Sequence, residues 1–362
     1  MTVLKGTQEM KTSSKEKIKL AIIGCGAVVQ ERYLPAAALV PNLAITHVVD
    51  LDVERARDVA NQFQIPNCVD DYHSVFEKVD AVVVATPPSS HAQISIDCLS
   101  QGLHVLCEKP LTTCVKEAKA MIAASQQTHT HLAVAMNRRL SWSSQLLKKL
   151  LQASILGNID RFVIKEGHEF NWPLRTGHIF QDSNSGGVLA DTGVHVLDLL
   201  LWSLGSQETQ LVRYRADNWG GVETNAKIDL LVEWHSRQVP GSIELSFTRK
   251  LENTLRIYGE KGCLEAPILG GHEILLYLGD EKAEPVALTP HDATSKTRVE
   301  EFAIQLSNFT DSIIHHSKEY VSADKALATI SLIEQCHNSR EPMAQSWEIK
   351  HLESFFEAKK NE

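Results

Sequence analysis

The chain has 362 residues, is 43% hydrophobic and carries a formal net charge of −9. That length predicts two compact units, and the acidic balance excludes the basic footprint a nucleic-acid partner requires. No Lys/Arg run is long enough to hold a membrane surface, no apolar run approaches spanning length, and the 7 scattered cysteines form no C-x-x-C pair; together these point to a reducing, cytoplasmic setting and not to a membrane or disulfide scaffold.

Met1 to Glu16 is polar and reads as a frayed leader. From Lys17 onward, short apolar runs alternate with helical spacing. The expected strands are Ile18 to Ile23, Ile45 to Val49, Ala81 to Ala85, Leu103 to Cys107 and Leu132 to Met136. Between them the spacing predicts helices over Arg32 to Val40, Val53 to Phe63, Ala92 to Leu99 and Val115 to Ser125. Strands apolar on both faces and separated by helices make a parallel sheet covered on both sides, joined by right-handed crossovers. A doubly wound α/β Rossmann domain over residues 17–140 follows.

Past Ser141 the rhythm changes. Helical spacing over Ser144 to Gln152 precedes a strand, Ile159 to Lys165, and a strongly apolar helix runs from Val194 to Leu204. Strands without intervening helices come next: Thr209 to Tyr214, Ala226 to Trp234, Gly241 to Phe247, Thr254 to Tyr258 and Ile274 to Leu278. Such a series predicts an α+β domain over residues 141–362 with a large, mainly antiparallel open sheet. Val212, Tyr214, Ile228, Leu230, Val232 and Trp234 alternate as one buried face requires, against its own helices or another subunit. Late helices, Glu300 to His316 and Ala323 to His337, are expected to pack back on the first domain.

Chemistry concentrates where the expected strands end. Gly24-Cys25-Gly26-Ala27-Val28-Val29 turns the first strand into the first helix and matches G-x-G-x-x-G/A except at Val29. The first glycine allows a tight turn, the second lets a pyrophosphate approach the backbone, and the third packs helix on strand. Asp50 closes the second strand, where a carboxylate accepts from ribose hydroxyls and repels a 2′-phosphate; NAD is therefore preferred, with NADP as the alternative, and Arg55 joins the same set. The competing reading makes Asp50 the cap of the helix that starts at Val53.

Glu108-Lys109-Pro110 follows the strand ending at Cys107, at the carboxyl edge where ligands bind in such sheets. Its bland reading is a solvated lysine before a turn. Asp191 and His195 stand one helical turn apart, with Asp198 on the same expected face, behind Gly186-Gly187. A carboxylate and an imidazole so placed suit proton transfer; an N-cap followed by a core histidine is the bland alternative. No third ligand has convincing spacing for a metal.

In this order, Gly24-Cys25-Gly26, Asp50, Thr86-Pro87-Pro88 with His91, Glu108-Lys109-Pro110 and Asp191-Thr192-Gly193-Val194-His195 resemble the Gfo/Idh/MocA family of glucose–fructose oxidoreductases, inositol dehydrogenases and rhizopine-catabolism proteins. The resemblance covers about Lys17 to Arg340. It implies that Lys109, Asp191 and His195 are the catalytic residues, and that Thr86, Pro87, Pro88, His91, Glu108 and Asn137 line the cofactor. Asn137-Arg138-Arg139 is similar to the family's segment after the last Rossmann strand, and Trp172 and Arg175 fall in a loop that reaches substrate, with Asn171 and His178 as further polar candidates. Lys109, Asn137, Arg138, Trp172, Arg175, Asp191 and His195 thus form the expected substrate set.

The implied activity is hydride transfer between nicotinamide and a secondary hydroxyl of a sugar or cyclitol. His195 would take the proton, Lys109 would stabilise the oxygen, and Asp191 would fix His195 or a neighbouring hydroxyl. A non-catalytic dinucleotide-binding regulator of the same fold and an NAD-dependent glycosidase are the alternatives. A homodimer or homotetramer is implied by the resemblance.

Overall fold

The computed structural model describes residues 17–170, 186–206, 208–217, 222–279, 283–290 and 297–343. Met1 to Glu16 and the candidates Asn171, Trp172, Arg175 and His178 lie outside the described residues.

The first sheet holds β1 (Ile18–Ile23), β2 (Leu43–Val49), β3 (Asn67–Val69), β4 (Ala81–Val84), β5 (His104–Cys107) and β6 (Leu132–Val134). Every pairing is parallel and the order is β3-β2-β1-β4-β5-β6. That order reverses direction between β1 and β4, so a crevice opens beyond the carboxyl ends of these two strands. All residues of β4 are buried, as an apolar strand covered on both faces must be. Among the helices covering the sheet, α1 (Leu34–Ala37) follows the glycine turn through a widened π turn over Val29–Tyr33. The helix therefore starts earlier than the Arg32 the spacing predicts. α2 (Val53–Phe63) is capped by Asp52, whose side chain accepts from Arg55 N at 3.1 Å. Pro88 opens α3 (Pro88–Ser100), where its missing N–H costs nothing, and α4 (Val115–Thr128) completes the set.

The second sheet has 9 strands in the order β14-β13-β12-β11-β7-β10-β9-β8-β15. They are β7 (Ile159–Gly167), β8 (Thr209–Ala216), β9 (Asn225–Trp234), β10 (Arg237–Ser246), β11 (Thr254–Gly259), β12 (Gly262–Pro267), β13 (Ile274–Leu278), β14 (Val286–Leu288) and β15 (Glu341–Pro342). Pairing is antiparallel except for β7 with β10 and β8 with β15. Its buried face carries Tyr214, Ile228, Leu230, Val232 and Trp234. These pack in one core with α5 (Trp142–Gln152), α6 (Val194–Leu204) and α8 (Leu327–Asn338). Val212 does not belong to this row: the register shifts between Leu211 and Arg213, and Val212 is 59% exposed. A bulge adds one residue to the strand and so turns the extra side chain to the opposite face.

α7 (Arg298–His315) returns to the first sheet. Phe302, Leu306 and Phe309 join a core with Leu20, Ile22, Val29 and Tyr33, and the Tyr33 and Phe302 rings meet edge to face at 4.9 Å. Each such fully buried side chain contributes about 1.5–3 kcal/mol of transfer free energy. Among the described residues no helix is long and apolar enough to cross a membrane, and no cluster of His, Cys, Asp or Glu could hold a metal ion.

Candidate active site

A cavity of about 770 Å³ occupies the crevice beyond β1 and β4 and extends to the end of β7 and the start of the helix that becomes α6. The glycine turn forms one wall. Gly24 has φ +97°, and a Cβ there would sit 2.5 Å from Ala85 O, so only glycine lets β1 turn against the end of β4. A Cβ on Gly26 would meet nothing within 4 Å, which leaves backbone at the helix start open to a ligand. Ala27 and Val28 also line the cavity, whereas Val29 is fully buried beneath it. The third-glycine position therefore serves packing here, and its departure from the pattern leaves the cavity wall intact.

Asp50 braces this turn. Its carboxylate accepts from Cys25 N at 2.8 Å and Asp52 N at 3.0 Å, and Arg55 donates to both of its oxygens at 3.2 and 3.3 Å. Arg55 also reaches Asp52 at 3.0 Å. The capping alternative for Asp50 is thus replaced by Asp52. Asp50, Arg55, Thr86, Pro87 and Pro88 all line the cavity. His91 does not: it is fully buried, with one ring nitrogen 2.8 Å from Thr86 O and the other 2.9 Å from Pro110 O. It ties the loop after β4 to the loop after β5, so it shapes the cavity from behind.

The Lys109-Pro110 peptide bond is cis. Lys109 Nζ donates to Asp191 Oδ1 at 2.7 Å and to Asp191 O at 2.8 Å, joining the two halves of the chain across the cavity. Burial alone would raise the Asp191 pKa, but the Lys109 ammonium, with Arg138 and His168 nearby, holds this carboxyl below its ordinary range. Glu108 accepts from the Tyr33 hydroxyl at 2.7 Å and from Lys109 N at 3.0 Å; burial nevertheless pushes its carboxyl up. Gln305 of α7 donates to the same Tyr33 hydroxyl at 3.2 Å.

His195 lines the cavity, and its buried Nδ1 has no hydrogen-bond partner among the described residues. Burial lowers its pKa well below the ordinary value, helped by the charges of Arg138, Lys109 and Arg298. The imidazole is therefore held neutral, as a proton acceptor must be. Asp191 faces Lys109 and does not hold His195 in place, and Asp198 leaves the shared face altogether: its buried carboxylate grips Arg139, with Nε at 2.7 Å. A π turn over Leu189–Gly193 widens the helix between these residues and rotates the face that i, i+4 and i, i+7 spacing predicts.

Asn137 and Arg138 reach the cavity as expected, with Arg138 held by the fully buried Glu166 of β7 through two bonds of 2.5 and 2.8 Å. Sequence reasoning missed Glu166, His168, Phe170 and Arg298, which also line it. Arg298 sits at the start of α7, bonded to Glu301 at 3.1 Å and Leu269 O at 2.7 Å. The Thr297-x-x-Glu300 capping box announces that helix start, but nothing local announces where its arginine points.

The residues present fit a dinucleotide: an open glycine turn at a helix start, a carboxylate at the end of β2 and a cavity running from them to Lys109 and His195. The comparisons agree with that fit. The family described as "Oxidoreductase family, NAD-binding Rossmann fold" matches residues 18–136, and the "GFO/IDH/MocA C-terminal domain" matches residues 144–265. Levoglucosan dehydrogenase of Pseudarthrobacter phenanthrenivorans is 30% identical over 52% of this chain and 52% of its own length. Glucose-6-phosphate 3-dehydrogenase of Bacillus subtilis is 27% identical over 59% of this chain and 61% of its own length. The chain thus matches between about half and two thirds of the length of these curated relatives. Among solved structures, an aldose-aldose oxidoreductase from Caulobacter crescentus, complexed with glycerol, superposes with a TM-score of 0.77 at 23% identity, covering 90% of this chain and 97% of that one. A levoglucosan dehydrogenase in complex with NADH gives a TM-score of 0.78 at 22% identity over 90% of this chain and 97% of that one, again a likeness of fold. With both halves matched in order and the motif residues converging on one cavity, the chain belongs to the Gfo/Idh/MocA oxidoreductase family.

Proposed function

We propose that this chain is a nicotinamide-dependent dehydrogenase acting on a secondary hydroxyl of a sugar, sugar derivative or cyclitol. The observation that carries this reading is the meeting of Lys109 and His195, from opposite halves of the chain, on the cavity that begins at the glycine turn. Relatives named for levoglucosan and glucose 6-phosphate support the substrate class. The adenosine half of the cofactor is assigned to Gly24, Gly26, Asp50 and Arg55, and the nicotinamide half to Thr86, Pro87, Glu108, Lys109 and Asn137. When bound, the nicotinamide supplies the hydride acceptor. His195, held neutral, accepts the hydroxyl proton. Lys109 donates a hydrogen bond to the same oxygen and stabilises the charge that develops there. Asp191 holds the Lys109 ammonium in place, a role different from fixing His195.

Asp50 favours NAD, because its carboxylate opposes a 2′-phosphate. Arg55 is the observation on the side of NADP, since its guanidinium lies beside the same position. NAD remains the proposed cofactor. The division between the cofactor-binding and substrate-binding domains is placed near residue 140, with α7 returning to the first and α8 lying between α4 and the second sheet.

The test is a product assay. Purified protein with NAD or NADP is given levoglucosan, glucose 6-phosphate, simple glucosides and myo-inositol, and both reduced nicotinamide and the keto product are measured. Stoichiometric formation of both supports the reading. Cleaved glycoside without net redox, or no turnover anywhere in the panel, counts against it.

A further inference from the structure

Among the described residues, no side chain at the start of the helix that carries Asp191 and His195 caps its first turn. This helix is preceded by Gly186 and Gly187, neither of which has a side chain to accept from the first-turn N–H groups that every helix leaves unpaired. Two of those groups are satisfied from 35 and 34 residues away. Val188 N donates to Glu223 O at 2.9 Å, and Leu189 N donates to Glu223 Oε1 at 3.1 Å.

Glu223 is itself immobilised. It is 3% exposed and directly precedes Thr224 and Asn225, whose N–H groups donate to Asp217 Oδ1 at 2.6 and 3.0 Å. Gly187 has φ +86°, and a Cβ there would lie 2.4 Å from Glu223 Oε1. Gly187 is thus explained by this carboxylate: the missing side chain is what lets Glu223 reach the helix start. Further along, a Cβ on Gly193 would press Leu245 Cδ1 of β10 at 2.9 Å, so the helix is seated closely on the second sheet as well. Burial pushes the Glu223 carboxyl up, while its bond from Leu189 N and the charge of Arg340 act the other way.

We propose that Glu223 is a positioning residue for Asp191 and His195, setting the seat of their helix by capping its start from the edge of β9. A helix start displaced at residue 188 is displaced at residues 191 and 195, one and two turns on, and misplacement by about 1 Å at a reacting group can cost on the order of a hundredfold in rate. The consequence for catalysis rests on the function proposed above; the positional claim does not.

The experiment follows histidine Cε1–H resonances in the full-length protein, with His195 identified by its loss in His195→Asn. In Glu223→Ala the His195 resonance and its titration shift, while those of His104 and His131, at the far end of the first sheet, stay in place. Glu223→Gln, which keeps an oxygen for Leu189 N, retains the wild-type His195 signal. NADH affinity, read by fluorescence, stays within about twofold in both, because the glycine turn is untouched, and kcat on whichever panel sugar turns over falls about tenfold to a hundredfold only in the alanine variant. Should the alanine variant not fold, Glu223→Asp makes the same comparison with the charge kept and the reach shortened. An unchanged His195 resonance in the alanine or aspartate variant, equal shifts of all histidines, or a glutamine variant indistinguishable from alanine would each overturn the proposal. Wild-type protein that turns over no sugar yet shows the selective His195 shift would remove the proposed function and leave the positional role standing.

Discussion

Lys109, Asp191 and His195 are separable in what they do. Replacing Lys109 or His195 with alanine is expected to lower turnover at least about tenfold, since general acid–base help is typically worth roughly 10²–10⁴-fold, and His195→Ala is expected to retain NADH binding; steady-state kinetics beside a fluorescence titration checks this. The pH profile carries a second expectation. Because burial and the cations Arg138, Lys109 and Arg298 depress the His195 pKa, the neutral base persists as pH falls through the ordinary histidine range. The kcat/KM profile should therefore lack an inflection near 6.5, and Arg298→Gln, which removes one of those cations, should move the acid limb upward. His104 gives the corresponding stability test. Its folded pKa is lowered to about 4, chiefly by burial and then by His131. A depressed value means the unfolded chain takes up the proton first, so stability is complete above the unfolded value and is lost as pH falls towards 4. Thermal melts should show that decline, and His104→Gln should flatten part of it. At this scale the sequence pointed to the cavity-lining Lys109 through its place at a strand end, and to Asp191 and His195 through their spacing of one helical turn. It was silent on Glu166, His168 and Arg298, because each reaches the cavity only through tertiary packing, and on Glu223, which reaches the helix start in the same way.

The glycine turn separates two kinds of constraint within one element. Gly24→Ala forces a Cβ against Ala85 O at a positive φ, and should cost roughly 1–3 kcal/mol in denaturant unfolding. Gly26→Ala meets open space, so it should leave stability nearly unchanged and weaken NADH binding instead. Equal effects of the two changes on both measurements would contradict this division. The elements themselves were legible where periodicity had room to act: β1, β4, β5, α2 and α6 lie where apolar spacing puts them. β3 and β14 have 3 residues each and β15 has 2, too few for alternation to register. β12 begins at a glycine, ends at a proline and includes a glutamate, so it reads as turn. The two π turns, over Val29–Tyr33 and Leu189–Gly193, defeated helical spacing at the very places where chemistry was expected. Such turns are frequent at functional sites, and the second includes Asp191, just before His195.

At the scale of the whole molecule, the second sheet buries one face against its own helices, while among the described residues the alternate positions of β9 on the other face are only half-buried. The outer face carries a ladder of ion pairs, Arg215 with Asp229, Lys165 with Glu252 and Arg256 with Glu265, together with Arg161 lying 3.4 Å over the Tyr258 ring. The proposed homodimer or homotetramer would use this face, and light scattering at micromolar concentration should find more than one copy per particle; a stable monomer would count against it. The order of the two sheets along the chain was legible from strand-helix alternation giving way to consecutive strands. The parallel pairing of β7 with β10 was not, because it depends on which strand inserts between neighbours.

The return of α7 to the first sheet constrains how such a chain can be divided. Because Phe302, Leu306 and Phe309 share a core with Leu20, Ile22 and Tyr33, cutting the gene after α5 would strip the nucleotide-binding half of a greasy lid and leave it prone to precipitate. Swapping that half between relatives as a single contiguous cassette would break the same seam. A workable chimera has to carry both segments together, so inheritance here is tied to an interleaved pair of pieces and not to one stretch of sequence.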